Sequence, residues 1–246
     1  MNASMTNGSA SRQDKSRLTE KVEIGDAVLY HGDCMEILPT LGKVDALVTD
    51  PPFNAGKDFE NDRLCESEWT EFCCSFAHAV HADNILIEVG KNDCVMRQEM
   101  DKRHKYRWAI CLNYTNSMRQ GAVGFSNTGL VYWYGGGKCH KRFMDRIDAP
   151  LEETKSYFSH PSPKTTAHYT RLVKMFSKHG ATICDPFMGS GTTGIACASL
   201  GRKFIGIEIE KQYFDVACER INAAYSQTRL FDEVEDACEQ ESFPIG

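Results

Sequence analysis

Apolar residues along this 246-residue chain fall into short runs separated by stretches of helical spacing. Ala27 to His31, Val44 to Thr49, Asn84 to Val89, Trp108 to Leu112, Gly129 to Tyr134, Ala181 to Cys184 and Lys203 to Ile207 are short and β-prone, which predicts strands. Glu68 to His81 places Trp69, Phe72, Phe76, Ala79 and Val80 at helical spacing, and Thr166 to His179 does the same with Leu172, Val173 and Phe176. Further helices are predicted through Met35, Ile37 and Leu38, over Asn92 to Lys102, over Thr192 to Leu200 and over Lys211 to Tyr225, with Gly180 and Gly201 as stops. Strands alternating with helices through short connections specify an α/β domain with a mainly parallel sheet and helices on both faces. Residues 1–20 are polar and read as a flexible tail. The stretch 54–66 reads as a charged loop, and 138–163 lacks periodicity, as an insert or a sheet edge would.

One strand-to-helix turn organises the rest. Ile183-Cys184-Asp185-Pro186-Phe187-Met188-Gly189-Ser190-Gly191-Thr192-Thr193-Gly194 runs from a strand through a carboxylate and glycines into a helix. Glycines at such a turn let the backbone bend tightly and approach a ligand closely. The next strand ends at Glu208, and a carboxylate there can take both ribose hydroxyls of a nucleoside. Read literally, Gly189-x-Gly191-x-x-Gly194 is also the dinucleotide fingerprint. It is not a P-loop, because no Lys follows the second glycine in the required order.

Asp33, Asp50, Asp185 and Glu208 each fall just after the last residue of a predicted strand or close it. The crevice beyond the strand C-termini is where an open parallel sheet binds ligands, so four carboxylates there outline a site. Asp33 alone is equally suited to capping the helix that follows it. Asp50 leads into Pro51-Pro52-Phe53. Two prolines fix φ and supply no N–H, so the Asp50 and Pro51 carbonyls are free to face a ligand. A carboxylate and a carbonyl held together can accept both protons of an exocyclic amine. That localises the nitrogen lone pair for direct attack on an electrophilic methyl, while an adjacent aromatic ring stacks on the base.

Charge changes this picture locally. The net charge is -6, and residues 230–246 carry six acidic and no basic side chains, an acidic tail. Arg97 to Arg146 holds ten basic against three acidic residues, the footprint that phosphate-backbone binding uses and that a solvated helix face would explain in part. Arg119, Lys138, Lys141 and Arg142 are its candidate nucleic-acid contacts. The 11 cysteines are scattered, with no metal-ligand spacing, so no metal is expected and a reduced, cytoplasmic setting is. No apolar run is long enough to span a membrane, and no secretion signal is visible.

Asp50-Pro51-Pro52-Phe53 followed by Asp185-Pro186-Phe187-Met188-Gly189-Ser190-Gly191-Thr192-Thr193 resembles the amino-group DNA methyltransferases of the permuted, beta-group arrangement. The likeness extends to Tyr30-His31-Gly32-Asp33-Cys34, to His160-Pro161-Ser162-Pro163-Lys164 and to Gly201 through Glu208. It implies a single Rossmann-like methyltransferase domain over residues 21–229, with a short target-recognition insert at about 138–160. It also implies methyl transfer from S-adenosylmethionine to an amine of a base flipped from double-stranded DNA. By this resemblance Asp50, Pro51, Pro52 and Phe53 hold and activate the base. Asp185, Phe187, Gly189, Ser190, Gly191, Thr192 and Thr193 lie along the methionine part of the cofactor, Glu208 on its ribose and Asp33 near its adenine. Lys164 and Thr165 edge the same pocket. Aspartate at the first position points to adenine N6, with cytosine N4 as the alternative. The chain departs from the family in having Lys164-Thr165 where Lys-Pro is usual and Phe53 where Tyr is commoner.

Two other readings compete. A nicotinamide-dependent dehydrogenase would use the glycine fingerprint, but Asp185-Pro186-Phe187 intervenes between strand and glycines, and Asp50-Pro51-Pro52-Phe53 has no role in hydride chemistry. An inactive nucleic-acid-binding subunit would not need both motifs intact. A homodimer and a cognate restriction nuclease or other specificity partner, in a bacterial or phage-encoded setting, fit the same resemblance.

Overall fold

A computed structural model describes residues 20–52, 54, 64–90, 94–116, 119–121, 124–151 and 164–240, and at 119–121, 124–126 and 228–240 the backbone alone. In chain order the elements are β1 (Glu20–Ile24), β2 (Ala27–His31), α1 (Cys34–Ile37) with the 3-10 turn Leu38–Thr40, β3 (Val44–Thr49), α2 (Glu66–Ala79), β4 (Ala82–Val89), α3 (Cys94–Arg103) and β5 (Tyr106–Tyr114). They continue with β6 (Arg119–Gly121), β7 (Gly124–Ser126), β8 (Thr128–Gly135), β9 (Arg146–Ala149), α4 (Thr166–Phe176), β10 (Thr182–Asp185), α5 (Thr192–Leu200), β11 (Lys203–Glu208) and α6 (Lys211–Gln240).

Nine strands form one sheet in the order β1-β2-β11-β10-β3-β4-β8-β5-β9, and β6 and β7 form a separate hairpin. Every neighbouring pair in the large sheet is parallel except β1 on β2 and the two pairings of β8, which runs against β4 and β5. The central strands are nearly continuous apolar runs because both faces are covered. On one side Phe76, Trp69, Met96 and Met100 of α2 and α3 pack with Leu47, Ile85 and Ile87. On the other, Leu172, Phe176, Ala196, Phe214 and Ile221 of α4, α5 and α6 pack with Val48, Leu86, Ile183 and Phe204. The mainly parallel α/β architecture expected from the alternation is thus the one observed.

Two features differ from expectation, and a third decides between two alternatives. The β6–β7 hairpin branches from the connection between β5 and β8. The stretch expected to be an insert or a sheet edge contains the edge strand β9, whose Ile147 and Ala149 are buried while Arg146 and Asp148 are exposed. Residues 146–149 are therefore part of the sheet, and 152–160 lie outside the described residues, as do 1–19, 55–63 and 241–246. Finally, α6 runs on to Gln240, beyond the Tyr225 end expected. No helix among the described residues is long and apolar enough to cross a membrane.

Candidate active site

The chain leaves β3 towards β4 and leaves β10 towards β11, in opposite directions along the sheet, so the crevice between the C-terminal ends of β3 and β10 is a topological switch point. Five carboxylates stand in a row across it. Asp33 follows β2, Glu208 ends β11, Asp185 ends β10, Asp50 follows β3 and Glu88 lies near the end of β4, and these strands are consecutive neighbours. At about 4.8 Å per strand the row is about 19 Å long, enough for an extended nucleoside-bearing ligand.

The left half of the row is held by the glycine turn. Asp185 is buried, and its Oδ1 accepts from Thr49 Oγ1 at 2.7 Å and from the Phe187 N–H at 3.2 Å, while Oδ2 accepts from Thr193 Oγ1 at 2.6 Å. Burial nevertheless pushes its carboxyl up to about 6, against those three donors. Glu208 accepts from the Gly189 N–H through Oε2 at 2.8 Å and from the Glu210 N–H through Oε1 at 2.9 Å; burial pushes it up to about 7. The Gly32 N–H donates to the Glu208 carbonyl at 3.0 Å, which brings the Asp33 turn alongside. Asp33 itself accepts from the Met35 N–H at 2.8 Å and caps α1, so the capping role that its position suits is the one its side chain performs in this structure.

Gly191, at φ 81°, is the N-cap of α5, a conformation open to few residues other than glycine. Ser190 is fixed by Arg220 of α6, whose Nη1 donates to the Ser190 carbonyl at 2.5 Å and to Oγ at 2.8 Å. Thr192 and Thr193 are buried. Phe187 turns back onto α2, its ring 5.3 Å from Phe76 and 6.1 Å from Phe72. Of these contacts, Thr49 and Arg220 carry no motif of their own in the sequence.

The right half of the row centres on Asp50. Its Oδ2 lies 2.8 Å from Lys164 Nζ, and Lys164 Nζ lies 2.7 Å from Glu88 Oε1. Glu88 Oε2 in turn accepts from Tyr169 Oη at 3.0 Å. Asp50 Oδ1 is buried and has no donor among the described residues. Burial, resisted by Lys164 and reinforced by Glu88, pushes the Asp50 carboxyl up to about 7. Burial alone would lower Lys164, but Asp50 and Glu88 outweigh it and hold the ammonium charged. Lys164 thus sits between the Asp50 and Glu88 carboxylates, at the right-hand end of the row. Thr165 is buried with its hydroxyl donating to the Pro150 carbonyl at 3.1 Å, which fastens the start of α4 to the end of β9. Glu88 could have been found in the sequence by the rule that found the other four, a carboxylate at a strand end. It was hidden by lying one residue inside an apolar run.

Pro51 is buried and Pro52 half-buried; Phe53 lies outside the described residues. Asn54, at φ 49°, closes the following loop: its Nδ2 donates to the Leu64 carbonyl at 2.9 Å and its Oδ1 accepts from the Leu64 N–H at 2.8 Å.

The candidate nucleic-acid contacts separate. Asn84, at the start of β4, pairs with Gly135, so the connection after β8 opens on the edge opposite Asp50. The His140 N–H donates to the Met175 carbonyl at 2.7 Å, at the C-terminal end of α4, and the Asn84 side chain donates to the Lys138 carbonyl at 3.1 Å. Lys138, Lys141 and Arg142 are therefore a helix length, about 16 Å, from Lys164 at the other end of α4. Arg119 lies on the β6–β7 hairpin between Tyr114 and Thr128, which leaves from the Asp50 edge. The basic block counted along the sequence is split between two edges by the reversal of β8. No group of three or more potential metal ligands occurs among the described residues.

A Rossmann-like sheet with paired carboxylates at its switch point and a glycine turn into α5 is the architecture of a methyltransferase domain. A family model described as DNA methylase, covering the N6 and N4 enzymes, matches residues 133–219. The chain is 27% identical to the type II methyltransferase M.ScaI of Streptomyces caespitosus, over 82% of this chain and 83% of that protein. It is 26% identical to M.HpaI of Haemophilus parainfluenzae, over 79% and 73% respectively. Among solved structures it is similar to the M1.HpyAVI–SAM complex, with a TM-score of 0.63 and 26% identity over 79% of this chain and 98% of that one. The cytosine-N4-specific PvuII methyltransferase, at 16% identity over 86% of this chain and 96% of that one with a TM-score of 0.68, shares the fold. In sequence and in fold the chain is thus similar to amino-group DNA methyltransferases, one of them solved with S-adenosylmethionine bound.

Proposed function

We propose that this chain transfers a methyl group from S-adenosylmethionine to the N6 amine of an adenine turned out of double-stranded DNA. The observation that carries the reading is Asp50: a carboxylate fixed on one oxygen, with the other lacking a donor among the described residues, across the switch point from the Asp185–Gly189 turn. Aspartate at this position, as the sequence resemblance has it, supports adenine over cytosine.

The residues present fit the cofactor. Its two ribose hydroxyls need acceptors, which Glu208 and its neighbours on the row supply, and its sulfonium charge needs an anionic surround, which Asp185 supplies. When bound, the cofactor supplies an electrophilic methyl carbon with a neutral thioether as leaving group. Asp50 Oδ1 and the Pro51 carbonyl accept the amine protons, raising electron density on the nitrogen that attacks. Phe53 stacks on the extruded base. The β6–β7 hairpin, with Arg119, approaches the duplex from the Asp50 edge. A cognate nuclease and a second copy of the chain are the protein partners to look for in a bacterial or phage-infected cytoplasm.

Methylation of defined duplexes by the purified chain, with nucleosides separated by mass spectrometry, tests the reading. N6-methyladenine is the expected product; N4-methylcytosine would move the target to the alternative base, and no methylated base would refute the activity. Asp50→Ala should abolish transfer while binding S-adenosylmethionine as the wild type does.

A further inference from the structure

Four side chains from three elements form a chain of contacts behind the reacting position. Tyr169 Oη on α4 donates to Glu88 Oε2 on β4 at 3.0 Å, Glu88 Oε1 meets Lys164 Nζ at 2.7 Å, and Lys164 Nζ meets Asp50 Oδ2 at 2.8 Å. All are shielded: the Lys164 and Glu88 side chains are 12% and 7% exposed. Space for Glu88 comes from Gly129 on β8, where a Cβ would stand 3.0 Å from Oε1.

A buried ammonium shared by two carboxylates is costly to assemble and is kept when its geometry does something. It does not suit a contact to the sulfonium centre, because a sulfonium cation and an ammonium repel, and its ion pairs are made to Asp50 and Glu88. Asp50 needs such a group. A free carboxylate can rotate, or can protonate in its buried setting, and either change removes the acceptor that the amine requires. With Oδ2 held, Oδ1 is left as the acceptor in a fixed place.

We propose that Lys164, itself held by Glu88 and Tyr169, is the positioning residue of methyl transfer: it clamps Oδ2 of Asp50, keeps the carboxylate ionised and presents Oδ1 to the target amine. The inference rests on the amino-methyltransferase reading above and adds to it three residues that act through Asp50. The charged and titratable groups facing Asp50 are Lys164 at the start of α4, Glu88 on β4, Asp185 on β10 and Tyr169 on α4. Removing Lys164 and removing Glu88 must therefore move Asp50 in opposite directions. Loss of the cation favours the protonated acid, and loss of the like charge favours the carboxylate.

The experiment follows the Asp50 carboxyl by carbon-13 NMR titration and, in parallel, the pH profile of kcat, in wild type, Lys164→Met, Lys164→Arg and Glu88→Gln. In Lys164→Met the midpoint and the acid limb of kcat should rise by about one pH unit or more, with kcat at neutral pH down by about tenfold or more. Glu88→Gln should lower the midpoint, and Lys164→Arg should restore much of the wild-type profile. The affinity for S-adenosylmethionine should stay within about twofold throughout. Midpoints that do not move in either variant, or a loss of cofactor binding in step with activity, would overturn the clamp. Glu88→Gln is nearly isosteric and keeps the test open should Lys164→Met fold poorly. A wild-type chain that methylates no base refutes the activity and the positioning role together, whereas the titration still reports whether Lys164 controls Asp50.

Discussion

Thr49 Oγ1 donates a 2.7 Å hydrogen bond to Asp185 Oδ1, joining the last residue of β3 to the last residue of β10 across the switch point. The strand that leads into Asp50 and the strand that leads into the glycine turn are thus tied by one buried hydrogen bond, one residue before Asp50. A shift of either strand end would be felt by the other.

Thr49→Val keeps the shape and removes that donor. A buried carboxylate deprived of one partner costs about 1–3 kcal/mol, equivalent to a fall in Tm on the order of 5 °C for a domain of this size. The Asp185 carboxyl should rise further above 6, and the affinity for S-adenosylmethionine should weaken with it. Thermal unfolding and calorimetric titration of the cofactor check both.

Glu208 gives the cofactor-free protein a pH dependence of unusual sign for a carboxylate. Its folded value, about 7, lies above the ordinary 4.5, so the folded state holds the proton more tightly than the unfolded chain. Its contribution to stability is full below about 4.5 and is lost as pH rises through 7, a difference on the order of 3 kcal/mol. Glu208→Gln should flatten the stability curve between pH 5 and 8 relative to wild type. Asp50 and Asp185 act in the same direction and His168 in the opposite one, so the difference between the two proteins in urea unfolding is the quantity to read.

The split of the basic block sets the salt dependence of DNA binding. Arg119→Glu, on the hairpin at the Asp50 edge, should lower the slope of log K against log salt by about 0.9 for each phosphate no longer neutralised. Lys141→Glu with Arg142→Glu, at the opposite edge, should leave the slope as in wild type. Fluorescence anisotropy over a salt series separates the two.

Asn54 closes the loop that follows Asp50-Pro51-Pro52-Phe53, and no other side chain makes the same pair of bonds from a left-handed backbone as readily. Asn54→Gly keeps the backbone and deletes both bonds, about 1 kcal/mol each. The DNA KM should rise by about tenfold with cofactor affinity unchanged, as steady-state kinetics and cofactor titration would show.

Much of the scaffold was legible because its signals are local. Val44–Thr49 and Thr192–Leu200 have the bounds that hydrophobic runs and a terminal glycine indicate, and the four strand-end carboxylates do share one edge. What escaped depends on pairing across the sheet. β9 is four residues with two buried, too short to show a period, and the β6–β7 hairpin is two three-residue strands, shorter still. Glu88 looks like a polar interruption of β4 until Lys164 and Tyr169 are brought to it from the start of α4, 76 and 81 residues away. Counting charges from Arg97 to Arg146 could not show that neighbours in sequence part company at Gly135.

The reversed direction of β8 has an evolutionary corollary. Residues added between β6 and β7 would fall on the Asp50 rim of the sheet, while the hub formed by Asn84, Trp133 and Phe176 at the far rim would feel nothing. A lineage built on this sheet can therefore lengthen or rewrite its contact with nucleic acid without renegotiating the packing that keeps the domain folded.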